Sequence, residues 1–184
     1  MLSLANCLRA KNLVSVRRRD VDDNGIQGFL VGVSESLLAL EYVYDFQIDG
    51  LMILRRSDIT EVRRTATDDF HERLLKREGI RAGHQGPAAL ELGSWQTIIQ
   101  QLSLSCPLMI LERELGPSPE FVIGRPQRVT AAQVEFHSFS GTGKWSDKTV
   151  RLKYTQITCL QTNTRYLGFY QRYFEHTPSR SKND

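Results

Sequence analysis

The stretch Ile53-Leu54-Arg55-Arg56-Ser57-Asp58-Ile59-Thr60-Glu61-Val62 is echoed later in the chain by Arg151-Leu152-Lys153-Tyr154-Thr155-Gln156-Ile157-Thr158-Cys159-Leu160. An internal repeat constrains architecture before any single residue does, because each copy must be one structural unit. The chain has 184 residues, room for two barrels of roughly 70 residues with a modest shared core. The repeat therefore predicts a duplicated small β-barrel.

The strand pattern supports this. Leu2 to Ala10 reads as a short helix and Leu13 to Val16 as a strand, followed by the basic run Arg17-Arg18-Arg19 and an Asn24-Gly25 turn. Ile26 to Val33 is a second strand with Gly28 and Gly32 inside it, which suits a bulge or a bend. Leu37 to Val43, Leu51 to Leu54 and Ile59 to Val62 complete five short strands. A helix opens at Thr67-Asp68-Asp69, has Lys76-Arg77 in its last turn and stops at Gly79.

The second half repeats the order. Ser94 is an N-cap for a helix carrying Trp95, Ile98, Ile99 and Leu102, which Pro107 ends. Strands are expected at Leu108 to Arg113, around Phe121 to Gly124, from Val129 to Phe139, from Trp145 to Tyr154 and at Ile157 to Leu160. Phe121-Val122-Ile123-Gly124 reads as the counterpart of Phe29-Leu30-Val31-Gly32. Arg165 to Glu175 is a last, aromatic helix. The expected organisation is residues 1–79 as the first barrel with its helix, 80–93 as a linker, 94–176 as the second barrel with its helix, and 177–184 as a disordered tail.

A leading helix, a glycine-containing second strand and the Leu37-Leu38-Ala39-Leu40 and Ile59-Thr60-Glu61-Val62 strands resemble the Sm-like fold, an SH3-type five-stranded barrel. Gly124, Val129 to Val134 and Ile157 to Leu160 carry the resemblance in the second copy. The chain is thus similar to uncharacterised bacterial proteins with two tandem Sm-like barrels. The resemblance implies a mostly β fold with short helices. It also raises RNA binding, although Val62-Arg63-Arg64 has no glycine where the second Sm motif has Arg-Gly.

Charge and motifs narrow the function. Lys and Arg total 24 against 21 Asp and Glu, a net +3 that does not by itself call for nucleic acid. Cys7, Cys106 and Cys159 form no C-x-x-C pair and fit free thiols in a reducing cytosol. His71, His84, His137 and His176 have no ligand spacing, so no metal and no cofactor are expected. Gly141-Thr142-Gly143-Lys144 lacks the full phosphate-loop spacing and reads as a hairpin turn. No nucleophile elbow is present and no catalytic residue is assigned. The N-terminus does not read as a signal peptide, and no apolar run approaches the roughly 18 residues of a membrane helix, so a cytoplasmic protein is expected.

Two binding surfaces follow. Arg17, Arg18, Arg19, Arg55, Arg56, Arg63 and Arg64 are the candidate nucleic-acid set, since guanidinium forks suit phosphates. Tyr166, Tyr170, Tyr173 and Phe174 are the candidate partner surface. The leading expectation is a non-enzymatic binding or scaffold protein acting through protein contacts or self-association. RNA or single-stranded nucleic-acid binding through the first barrel is the alternative.

Overall fold

The computed structural model describes residues 3–18, 21, 25–83 and 89–176. The tail 177–184, Arg19 and Asn24 of the expected turn lie outside them. Elements run in the order α1 (Leu4–Ala10), β1 (Leu13–Arg18), β2 (Ile26–Val33), β3 (Leu37–Tyr44), β4 (Gln47–Arg55), a 3₁₀ turn at Arg56–Asp58, β5 (Ile59–Arg63) and α2 (Ala66–Arg77). The series then starts again: α3 (Trp95–Ser103), β6 (Met109–Arg113), β7 (Glu120–Val129), β8 (Gln133–Ser138), β9 (Val150–Lys153), a 3₁₀ turn at Tyr154–Gln156, β10 (Cys159–Thr162) and α4 (Arg165–His176). The echo seen in the sequence falls on the same strand, 3₁₀ turn and strand in each half.

The ten strands of the described residues belong to one open antiparallel sheet, in the order β5-β1-β2-β3-β4-β10-β6-β7-β8-β9. The halves have the same internal order, and they meet where β4 pairs with β10: Leu54 lies opposite Cys159, Ile53 opposite Leu160 and Met52 opposite Gln161. Among the described residues no helix is long and apolar enough to cross a membrane.

Register fixes which residues of the two halves correspond. Gly28 faces Tyr42, and Gly124 faces Ser138. In both strands the glycine admits a close carbonyl: a Cβ on Gly28 would sit 2.8 Å from the Glu41 oxygen, and on Gly124 2.0 Å from that of His137. A bulge follows in each strand, with Val31 extra in β2 and Gln127 extra in β7. Both pairs are separated by the same interval (124 − 28 = 96 and 127 − 31 = 96). Gly28, not Gly32, is therefore the counterpart of Gly124. The resemblance of Phe29–Gly32 to Phe121–Gly124 is local composition out of register.

Three other segments differ from expectation. β7 runs on through Pro126 to Val129, and β8 begins only at Gln133. Pro126 is tolerated there because it sits at the bulge, where the ladder is already interrupted. The strand expected from Trp145 is confined to Val150–Lys153, and Trp145 makes a single bridge to Phe139. The end of the expected linker is anchored: Leu92 is buried, and the Gln101 side chain accepts from Glu91 N and donates to Ala89 O.

Among the described residues the core has four parts. Inside the first half, α1 covers Val14, Val16, Leu30, Leu38, Leu40 and Leu54. α2 lies on the other face of the sheet, where Leu75 meets Leu13, Phe29 and Val43. α4 occupies the matching place in the second half, with Leu167, Tyr170 and Phe174 against Leu108, Ile110, Ile123 and Phe139. The largest cluster belongs to both halves. It joins Leu37, Ala39, Leu51 and Ile53 of β3 and β4 to Trp95, Ile98, Ile99 and Leu102 of α3 and to Leu111, Phe136 and Leu160. The halves thus share a sheet and an apolar interior.

The second half has no such apolar face to offer. By register, Gln133, Glu135, Thr149 and Arg151 stand where Leu37, Ala39, Leu51 and Ile53 stand in the first. None of the four is buried.

Candidate interaction surface

The arginines of the first half are separated by their partners. Arg18 is buried and holds Glu114 of the second half through both terminal nitrogens, at 2.6 and 2.8 Å. Arg55 grips Asp58 at 2.7 Å and donates to the Thr155 carbonyl at 2.8 Å, again crossing to the second half. Arg64 binds Asp69, Glu72 and the Leu13 carbonyl. These three side chains hold the fold together. Arg17, with its side chain 48% exposed, makes a looser 3.8 Å pair with Glu61. Arg56 is half-buried in the 3₁₀ turn. Arg63 is half-buried on β5, and its Nε is shielded from solvent with no hydrogen-bond partner. Arg19 lies outside the described residues.

Several carboxylates in and around these contacts are tuned by their surroundings. Burial alone would raise the Glu72 carboxyl, but Lys76, Arg64 and the Leu13 amide outweigh it and hold it below its usual range. Burial is likewise outweighed at Asp68, by hydrogen bonds from Ser15, Gln27 and Thr65. Glu112 goes the other way: burial and the neighbouring Glu114 charge push it up. Burial, followed by the charge of Glu112, also raises the Cys159 thiol well above the ordinary range.

Among the described residues no cluster of His, Cys, Asp or Glu could hold a metal ion. All three cysteines are buried free thiols. Near the joint, α1, β2 and β3 line a cavity of about 410 Å³ that includes Ser34 and Glu41. Their polar atoms serve the chain itself. Ser34 Oγ donates to the Leu92 carbonyl, and Glu41 accepts from Gly83 N.

The aromatic residues of α4 divide by helical face. Tyr170 and Phe174 point inward, and both ring centroids lie within 5.0 Å of that of Phe139. Tyr166, Phe169 and Tyr173 are exposed, Phe169 at 65%. The Arg172 guanidinium lies 4.8 Å from the Phe169 ring centroid. In α2, exposed Phe70 is covered in the same manner by Arg73, at 5.8 Å. The two pairs occupy corresponding positions (169 − 70 = 99 and 172 − 73 = 99).

The helix starts correspond too. Thr65 caps α2, and Thr164, 99 positions on (164 − 65 = 99), accepts from Leu167 N. The signal Thr-x-x-x-x-Phe-x-x-Arg stands in the sequence at 65–73 and 164–172. It extends the repeat into the helices, where strand periodicity does not reach.

No protein-family model, curated protein or solved structure matches this chain.

Proposed function

We propose that the chain is a tandem of two Sm-like units that acts as a non-enzymatic protein-binding module. The observation that carries the reading is the pair of exposed Phe–Arg contacts at corresponding places on α2 and α4. A single exposed Phe is ordinary. Two in register, each beside an arginine, give the halves a matching apolar and cationic surface, of the composition that protein interfaces favour. Tyr166 and Tyr173 widen this surface on α4, and Phe46 widens it on the first half, with its ring 4.9 Å from that of His71. Nucleic-acid binding is the weaker reading, because Arg18, Arg55 and Arg64 are committed to carboxylates.

Pull-down from lysate, with light scattering on the purified chain, tests the proposal. The wild type should capture a discrete protein or self-associate. Phe70→Ser and Phe169→Ser should each weaken that, and together abolish it, without lowering the melting temperature. A monomer that captures nothing, or capture that survives the double variant, would overturn it.

A further inference from the structure

We infer that the outer edge of β5 is a docking site for an extended acidic segment of another protein, added as an antiparallel strand. This goes beyond the helical Phe–Arg surface and does not rest on it.

The chain contains the template for such docking. Register makes β10 the counterpart of β5: Cys159, Leu160 and Gln161 face Glu112, Leu111 and Ile110 of β6, as Glu61, Val62 and Arg63 face Arg17, Val16 and Ser15 of β1. β10 carries a second strand, β4, on its other side. Among the described residues β5 pairs with β1 alone and ends the sheet. A row of backbone donors and acceptors at such an edge is what strand addition uses.

Charge selects the occupant. Where the inner joint has Glu112 and Gln161 hydrogen-bonded to each other, the outer edge has Arg63 of β5 itself and, behind it on β1, Arg17, whose guanidinium is already 3.8 Å from Glu61. Arg63 Nε is buried and lacks an acceptor. A carboxylate on an incoming strand, at the place Met52 takes opposite Gln161, would supply one, and a charge-assisted bond of this kind is strong. The residue opposite Val62 takes the place of Ile53 and should be apolar. A second copy of this chain fits poorly. Its other open strand, β9, would place Val150 opposite Arg63, where it supplies no acceptor, and Arg151 opposite the apolar Val62.

The test uses the full chain and a fluorescein-labelled peptide of alternating glutamate and valine, followed by anisotropy. The peptide should bind, and affinity should fall with salt. Arg63→Gln should weaken binding at least about fivefold, and Arg17→Gln, a second variant further from the buried atom, should weaken it less. A peptide N-methylated at alternate residues should lose binding, because it cannot complete a strand ladder. Absence of binding, equal binding of a lysine–valine peptide, undiminished binding of the N-methylated peptide, or dimerisation through this edge would each overturn the proposal.

Discussion

Buried Arg18 and half-buried Glu114 form a two-pronged ion pair between the halves of the chain, at 2.6 and 2.8 Å. Thr158 Oγ1 donates to the same carboxylate at 2.6 Å, so the acid is held from both sides of the joint. Removing Arg18 would leave Glu114 uncompensated. Arg18→Ala should cost about 3 kcal/mol of stability, measured by denaturant unfolding. The double variant Arg18→Met/Glu114→Leu should recover much of that loss.

Glu112 sits beside this pair and is pushed up first by burial, then by the Glu114 charge. Its folded form prefers the proton, so its penalty grows as pH rises past the ordinary carboxylate range. Glu112→Gln keeps an acceptor for Gln161 and removes the charge. It should raise the melting temperature at neutral pH and lose that advantage in acid, which thermal scans across pH would show.

Asp68 and Glu72 have the opposite sign. Their hydrogen bonds and ion pairs overcome burial and hold both carboxyls low. Their stabilisation is complete above the ordinary carboxylate range and drains away as pH falls through it and below. Asp68→Asn should therefore flatten the acid limb of the stability curve while reducing stability at neutral pH by about 1–2 kcal/mol. A parallel acid limb in the variant would count against this.

Gly124 lies so near the His137 carbonyl that any Cβ forces backbone movement, whereas at Gly28 the approach is less close. Gly124→Ala should cost about 3 kcal/mol and Gly28→Ala about 1 kcal/mol. Equal effects would mean that β8 yields more readily than its register suggests.

The strands were legible because short apolar runs bounded by turn residues mark strands buried on both faces; β2 spans Ile26–Val33 as read from the sequence. The correspondence between halves was misread at Phe29–Gly32, because similar short runs carry no information about which residue lies opposite. Pairing to β1 and β6, and the two bulges, decide that. The partners of the arginine set were hidden for a related reason. Arg18 finds its acid 96 positions away (114 − 18 = 96), and no local pattern announces such a partner. The Phe–Arg pairs were legible in principle, as a spacing shared by two helices of different composition.

The seam between β4 and β10 also sets an order of events in synthesis. Leu54 must wait for Cys159, which emerges 105 residues later (159 − 54 = 105). Until then the run Leu51-Met52-Ile53-Leu54 is a bare, uncharged edge on a nascent chain, the kind of segment that seeds aggregation. Loop closure over that distance must precede the contacts that reward it. The last of the ten described strands to be made is thus the one that makes the first half safe from its neighbours.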